Sequence, residues 1–174
     1  MIIGFEGGLG SGKTIGAVRY VVKDYGNGHK VYSNCGLRGI DYEFLNVLEI
    51  MENPDLQNVS VFIDEITVFL DCRRSSSKMN RIISYFILQS RKRNVNLYYT
   101  TQSFGMIDKR LLEHTNFQII ASKVYNDGLE IEGFRKYSII DCRDLNNIKI
   151  KRIYLDIKPY YKFYDTNEVI MPPV

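Results

Sequence analysis

The stretch that decides the fold of this chain is Gly7-Gly8-Leu9-Gly10-Ser11-Gly12-Lys13-Thr14. It fits the pattern G-x-x-x-x-G-K-[ST] and lies between a short apolar run at 1–5 and a helical pattern at 15–22. A strand, a glycine-rich loop and a helix N-terminus in that order surround an anion with backbone N–H groups and the positive end of a helix dipole. The pattern therefore predicts a phosphate-binding loop.

The side chains of this loop predict ATP and Mg²⁺ as its ligands. Lys13 is expected to reach the β- and γ-phosphates, and the Thr14 hydroxyl is expected to ligate Mg²⁺. The glycines let the backbone approach the phosphates because they carry no Cβ. The residues expected to bind the nucleotide are Gly7, Gly8, Leu9, Gly10, Ser11, Gly12, Lys13, Thr14 and Ile15.

The composition is that of an ordinary globular chain. The 174 residues are 45% hydrophobic and 25% charged, and the net charge of +3 permits contact with nucleic acid without arguing for it. Cys35, Cys72 and Cys142 are widely spaced, which disfavours a zinc site or a disulfide framework. No apolar stretch approaches the roughly 20 residues that span a bilayer. No signal peptide is recognised either, so the expected location is the cytoplasm.

Strand and helix signals alternate along the first two thirds of the chain, which predicts an α/β fold: a mostly parallel sheet flanked by helices. The expected strands are 1–5, 30–33, 59–63, 97–100 and 117–122. The expected helices begin at 15, 42, 79 and 111, and the polar stretch 71–78 is expected to be a loop.

The character of the sequence changes near residue 124. Asp127-Gly128 is a strong hairpin signal, and the later segments 137–140 and 150–157 are β-like. We interpret 1–174 as one P-loop ATPase domain, with a core at about 1–125 and a β-rich C-terminal extension at about 126–174. The extension is expected to add strands to the sheet or to form a small hairpin at its edge.

A second motif comes at 59–65, where an apolar strand ends in Asp64 and Glu65. In a P-loop ATPase this strand is expected beside the strand that feeds the loop. Asp64 would then lie near Mg²⁺, and Glu65 would polarise the water that attacks the γ-phosphate. Such a pair predicts hydrolysis, although an apolar run followed by two acids is also typical of a strand that enters a solvated loop.

A third motif is the strand that ends at Thr101-Gln102. Because parallel strands present their carboxyl ends to the ligand, Gln102 is expected to sense the γ-phosphate or the attacking water. Just upstream, 91–93 is a basic cluster, in which Arg91 is the preferred candidate for an arginine finger inserted into the next subunit. The alternatives are a polar strand end and a solvated helix C-terminus.

These three motifs together resemble the HerA–FtsK superfamily of DNA-pumping ATPases. Within it the chain looks most similar to viral genome-packaging ATPases and to Zot-like proteins of filamentous phages. The resemblance covers about 1–125 and depends on 7–14, 61–65 and 90–102.

The resemblance implies a RecA-like domain in a homomeric ring, expected to be a hexamer, that hydrolyses ATP at subunit interfaces while double-stranded DNA passes through its channel. Lys13 and Thr14 would bind phosphate and Mg²⁺, Asp64 would hold Mg²⁺ and Glu65 would be the base. Gln102 would be the sensor and Arg91 the finger. Zot-like proteins usually carry a transmembrane segment, and its absence here favours a packaging motor acting with a capsid or portal protein.

Two basic clusters are candidates for DNA contact that does not depend on sequence. They are Arg73, Arg74 and Lys78, and Lys149, Lys151 and Arg152. A solvated basic surface is the alternative for each. Two other functions stay open: an ATP-dependent assembly or export factor of the Zot-like kind, and a nucleotide or small-molecule kinase.

Overall fold

The computed structural model describes residues 1–44, 56–68, 86–87, 90, 92–144 and 146–164. The strands in this part of the chain are β1 Ile2–Glu6, β2 Lys30–Ser33, β3 Glu43–Phe44, β4 Val59–Ile63, β5 Val95–Thr101, β6 Phe117–Asn126, β7 Leu129–Asp141 and β8 Lys149–Asp156. Two helices lie wholly within the described residues: α1 Lys13–Gly26 and α2 Lys109–His114. Short 3₁₀ segments lie at Ile66–Val68, Phe104–Met106 and Lys158–Phe163.

The strands form one eight-stranded sheet in the order β3-β2-β4-β5-β1-β6-β7-β8. Every neighbouring pair from β3 to β6 is parallel, whereas β7 and β8 are added antiparallel. The predicted α/β fold, with a mostly parallel sheet and a C-terminal β extension, is therefore confirmed. That 1–174 forms a single domain stays a prediction.

The position of β4 differs from the sequence-based expectation. We expected it beside β1, but β5 lies between them and pairs in parallel with both: Gly4 is opposite Tyr99, and Val61 is opposite Leu97. The insertion has a physical consequence, because it places the hydroxyl-bearing carboxyl end of β5 beside both the phosphate loop and the two acids that follow β4.

Helix α1 covers one face of the sheet and thereby fixes the end of the loop. Its buried residues Val18 and Val21 pack with Phe5, Phe62 and Tyr98 in a core cluster. The opposite face carries a second buried cluster that includes Ile2, Val61, Ile63, Leu97, Tyr99 and Leu111. Burial on both faces explains why four of the five residues of β4 are apolar, Ser60 being the exception.

Helix α1 also packs against β7 of the C-terminal extension. A Cβ at Gly16 would lie only 2.7 Å from Tyr137 Cε1, so glycine permits this close approach. The Tyr137 hydroxyl donates a hydrogen bond of 2.9 Å to the carbonyl oxygen of Gly12. The extension is therefore joined to the phosphate loop itself.

The predicted hairpin turn is present, with both central residues in the left-handed region: Asp127 has a φ of 49° and Gly128 a φ of 83°. The strands on either side are longer than predicted, since β6 extends to Asn126 and β7 begins at Leu129. Strand pairing continues through their polar residues, which a search for apolar runs does not detect.

One predicted helix is wrong where the structure describes it. We expected a helix from 42 to 51, but Glu43–Phe44 is a strand paired with β2, and 45–51 lie outside the described residues. Most of the predicted apolar helix near 79–87 also lies outside them. Phe86 and Ile87 are helical and buried, as that prediction requires.

Candidate nucleotide-binding site

A cleft of about 790 Å³ opens where the carboxyl ends of the parallel strands meet the N-terminus of α1. Residues 8–15, which the sequence predicts to bind the nucleotide, all line this cleft, as do Asp64 and Glu65. Gly7 lies just before them and donates a backbone hydrogen bond of 3.3 Å to Thr101 O. Two motifs separated by 50 residues of chain therefore meet at one cavity.

The loop leaves hydrogen-bond donors available for an anion. Gly12 precedes α1 with a φ of 90° and provides no side-chain cap, and the first turn of the helix carries no acidic residue. The Ser11 hydroxyl is buried without a hydrogen-bond partner among the described residues. The first backbone N–H groups of a helix have no intrahelical partner, and a phosphate group would satisfy them. The loop therefore fits a nucleotide by its own geometry.

Lys13 already has an anionic partner in this structure. Its Nζ lies 2.9 Å from Glu65 Oε1, with the lysine side chain only 8% exposed. The predicted phosphate ligand and the predicted catalytic base therefore form an ion pair with each other.

Asp64 is the most heavily hydrogen-bonded side chain of the site. Thr14 Oγ1 donates to its Oδ1 at 3.0 Å, and Thr100 Oγ1 donates to the same oxygen at 2.5 Å. Burial raises the pKa of the Asp64 carboxyl, and these two hydroxyl donors oppose the rise. The side-chain amide of Asn34 fixes the backbone, since it accepts from Asp64 N at 2.8 Å and donates to Asp64 O at 3.0 Å.

Thr14 and Asp64 together provide the hard oxygen ligands that Mg²⁺ prefers. Among the described residues no group of three or more His, Cys, Asp or Glu side chains could hold a metal ion on its own. A Mg²⁺ ion at Thr14 and Asp64 would therefore complete its ligand shell with phosphate oxygens and water.

Glu65 has a left-handed backbone, with a φ of 48°. That conformation is uncommon for a residue with a Cβ, and here its N–H donates a 2.8 Å hydrogen bond to Thr100 Oγ1. One hydroxyl thus holds both acids: it donates to the Asp64 carboxylate and accepts from the Glu65 backbone. Thr100 was not predicted from the sequence, where Gln102 is the expected functional residue at this end of β5.

Gln102 is exposed and is not among the residues that line the cleft. Its role as a γ-phosphate sensor stays a prediction. Arg91, the predicted finger, lies outside the described residues, as do Arg73, Arg74 and Lys78. Lys149, Lys151 and Arg152 are all exposed on β8, at one edge of the sheet.

The C-terminal extension contributes to the cleft in a way that the motifs did not predict. Arg135 of β7 lines it, and so do Ile157, Tyr161 and Tyr164. The Tyr164 hydroxyl donates to Asp64 Oδ2 at 3.2 Å. The segment is anchored nearby, because Arg38 N donates to Phe163 O at 2.9 Å. Residues from both ends of the chain therefore enclose the site.

Comparison with solved structures shows the same fold in P-loop proteins. The chain is 21% identical to the N-terminal domain of zonular occludens toxin from Neisseria meningitidis, with a TM-score of 0.67 over 94% of this chain and 98% of that one. It is 13% identical to the genome packaging NTPase B204 from Sulfolobus turreted icosahedral virus 2 bound to AMPPCP, with a TM-score of 0.59 over 86% and 95%.

A third likeness is to the flagellar accessory protein FlaH from Methanocaldococcus jannaschii, at 10% identity and a TM-score of 0.57 over 86% of this chain and 88% of that one. No family model matches the chain, and a search of curated proteins gives no match. No helix within the described ranges is long and apolar enough to cross a membrane. The chain thus has the fold of RecA-like P-loop ATPase domains, which confirms the predicted resemblance to Zot-like and genome-packaging proteins at the level of fold.

Proposed function

We propose that the protein binds ATP with Mg²⁺ and hydrolyses it. The observation that carries the proposal is the pair of contacts across the cleft: Lys13 with Glu65, and Thr14 with Asp64. They bring a phosphate-binding loop, a metal-binding acid and a second, cleft-lining acid into one cavity. A kinase of small molecules has no need for the second acid.

Each side chain has a distinct role in this proposal. Lys13 leaves Glu65 and binds the phosphates, which frees the Glu65 carboxylate to accept a proton from the attacking water. Thr14 and Asp64 hold Mg²⁺, which neutralises charge on the phosphate oxygens. Thr100 holds the two acids in position relative to each other through its hydrogen bonds to the Asp64 carboxylate and the Glu65 backbone.

We further propose that hydrolysis moves double-stranded DNA through a homomeric ring, most simply a hexamer that packages a viral genome. The fold likeness to a genome packaging NTPase supports this proposal. In it Arg91 acts as the finger between subunits, Gln102 senses the nucleotide, and a capsid or portal protein anchors the ring. The exposed cations of β8 are then candidate contacts to DNA phosphates.

A second candidate function is ATP-dependent assembly or export of the Zot-like kind. The observation in its favour is the match to the zonular occludens toxin domain, whose TM-score of 0.67 covers nearly the whole of both chains. This candidate uses the same ATP chemistry but needs no contact with duplex DNA.

The two functions are separated by measuring ATP hydrolysis with and without double-stranded DNA, with Glu65→Gln as the inactive control. Stimulation by DNA that the variant abolishes supports translocation. Hydrolysis indifferent to DNA favours assembly or export. Transfer of phosphate to a small acceptor, without release of inorganic phosphate, would contradict both and identify a kinase.

A further inference from the structure

Two cations from the β6–β7 hairpin lie against the phosphate loop of the same chain. A Cβ at Gly10 would lie 3.5 Å from Lys123 Cε and 3.8 Å from its Nζ. A Cβ at Gly12 would lie 2.8 Å from Arg135 Cγ. Gly10 and Gly12 are the loop residues with positive φ, 70° and 90°, so the cations approach the loop at the two positions whose backbone conformation favours glycine.

One carboxylate holds both of these cations. Lys123 Nζ lies 2.7 Å from Glu130 Oε2, and Arg135 Nη2 lies 3.2 Å from Glu130 Oε1. Lys123 and Arg135 are also direct partners in the β6–β7 register. With two cations and one anion, the cluster keeps an excess positive charge beside the cleft. We call Lys123, Glu130 and Arg135 the hairpin triad.

The Arg135 side chain is only 10% exposed, yet its hydrogen bonding is incomplete. Nη1 donates to Phe134 O at 2.7 Å, and Nε is buried with no partner among the described residues. An unsatisfied N–H of a buried guanidinium is costly, and Arg135 also lines the nucleotide cleft. Among the described residues its guanidinium pairs with one carboxylate, which it shares with Lys123, so the part of Arg135 that lines the cleft is suited to a ligand with acceptor oxygens.

We propose that Lys123 and Arg135 bind the phosphates of the nucleotide held by the loop of their own chain, and that Glu130 holds both cations until the nucleotide arrives. This inference rests on the proposed nucleotide binding. The planar guanidinium is suited to bidentate contact with phosphate oxygens, and Lys123 adds a mobile point charge. The phosphates then receive cations from two directions: Lys13 from α1 and the hairpin cations from β6 and β7.

The test compares binding of fluorescent ATP and AMP analogues, with Mg²⁺ present, by the wild type, Arg135→Gln and Lys123→Gln. We expect Arg135→Gln to lower ATP affinity about ten- to a hundredfold, as the loss of charge-assisted hydrogen bonds would, and Lys123→Gln to lower it less. AMP, with a single phosphate, should lose less affinity than ATP.

The matched controls are Lys136→Gln and Glu130→Gln. Lys136 follows Arg135 on β7, so its side chain points to the opposite face of the sheet, and its loss should leave ATP affinity unchanged. Glu130→Gln removes the competing anion and no phosphate ligand, so ATP affinity should be retained or increased. Thermal unfolding of each variant checks that it is folded.

The inference is overturned if folded Arg135→Gln binds ATP as tightly as the wild type. It is also overturned if Glu130→Gln loses as much affinity as Arg135→Gln, since the triad would then only support the loop. If Arg135→Gln does not fold, the test depends on Lys123→Gln, because the Lys123 side chain is 35% exposed and its replacement disturbs the fold less. A wild type that binds no ATP would instead overturn the proposed function itself.

Discussion

Lys13 and Glu65 form an ion pair of 2.9 Å in the cleft, with side chains 8% and 24% exposed. In the proposed reaction neither residue uses the other: the lysine binds phosphate and the glutamate activates water. ATP must therefore displace Glu65 from Lys13 before the site is competent for hydrolysis. This competition ties nucleotide binding to release of the base.

Glu65→Gln is expected to separate the two effects. Hydrolysis should fall by about 10²–10⁴-fold because the general base is lost. ATP affinity should stay the same or rise a few-fold, because an amide competes with phosphate for Lys13 less than a carboxylate does. Single-turnover hydrolysis and equilibrium binding measure the two quantities separately.

The matched control is Glu43→Gln, which removes the carboxylate of an exposed ion pair with Lys30, on the edge strand β3. It should change neither quantity. If Glu65→Gln weakened ATP binding about as much as it slowed hydrolysis, Glu65 would be acting mainly on the structure of the loop.

Thr100→Val tests the hydroxyl that joins the two acids. We expect Mg²⁺-dependent activity to fall about ten- to a hundredfold, because the Asp64 carboxylate and the Glu65 backbone both lose an orienting partner. The fold should be retained, since valine is close to threonine in shape. The measurement is the Mg²⁺ concentration that gives half-maximal ATP hydrolysis, together with the maximal rate.

Thr115→Val is the control for the general cost of losing a buried hydroxyl. The Thr115 hydroxyl also makes two hydrogen bonds, with the Tyr99 hydroxyl and Leu111 O, each at 2.8 Å. Both variants should lose about 1–3 kcal/mol of unfolding free energy, but only Thr100→Val should change the Mg²⁺ dependence. Equal effects on activity would contradict an orienting role for Thr100.

The sequence predicts those parts of the site that depend on contiguous residues. The loop at 7–14 and the acids at 64–65 are local patterns, which a few consecutive residues are enough to reveal. Thr100 is different: it is 36 positions from Asp64, and its role follows from β5 lying between β1 and β4. No local pattern reports the order of strands in a sheet.

The contribution of the C-terminal extension was missed for a related reason. Tyr137 contacts Gly12 across 125 positions of chain. Arg135 lies on the same face of β7 as Tyr137, two residues away, so strand alternation links the two side chains once β7 is known to pass the loop. The predicted strand began only at 137, which left Arg135 outside every element.

Asp24→Ala should reduce stability more than any surface substitution. The Asp24 carboxylate on α1 accepts hydrogen bonds from Ser60 at 2.6 Å, Asn96 at 2.8 Å and Tyr98 at 2.7 Å, and so joins the helix to β4 and β5. Its removal leaves three donors without their acceptor, at a cost of about 2–4 kcal/mol. Urea unfolding measures this loss.

Glu113→Ala is the surface control for Asp24→Ala. Glu113 is 58% exposed and pairs with Lys109 one helical turn away at 3.5 Å. Such a pair contributes at most about 0.5 kcal/mol. A cost for Asp24→Ala no larger than that of the control would mean that water replaces Asp24 as the acceptor.

Asp108 should contribute a pH-dependent part of the stability. The Arg110 guanidinium, 2.7 Å from its carboxylate, holds the pKa of Asp108 below its usual range. Because the folded pKa is the lower one, this stabilisation is present above the unfolded pKa and is lost as pH falls through the folded pKa. Asp108→Asn keeps the Oδ1 that caps α2 and removes the charge together with the second acceptor oxygen.

Unfolding free energies of the wild type and Asp108→Asn should therefore differ by a constant amount from pH 7 to about pH 5. We expect about 0.5–1 kcal/mol, since the Arg110 side chain is 36% exposed and solvent screens the pair. The difference should start to shrink near pH 4, where the unfolded carboxyl takes up its proton, and should approach zero as the pH falls through the lower folded pKa. A difference unchanged down to pH 2 would contradict the charge effect.

Lys151→Gln with Arg152→Gln tests whether the edge strand β8 contacts DNA. Both side chains are exposed, whereas Lys149 lies opposite an acidic residue, Asp141, in the β7–β8 register. If both cations contact phosphates, DNA stimulation of ATP hydrolysis should weaken while the basal rate is kept. The salt dependence of DNA affinity should also become shallower, by about 1 in log–log slope for each lost contact.

Lys23→Gln with Lys109→Gln is the matched control, because it removes the same charge from two exposed helical positions. A motor that moves over any sequence needs localised phosphate contacts, not merely a positive net charge. Equal losses in the two double variants would show that DNA senses only the overall charge of +3. No loss in either would place the DNA contacts, if the protein has them, elsewhere than β8.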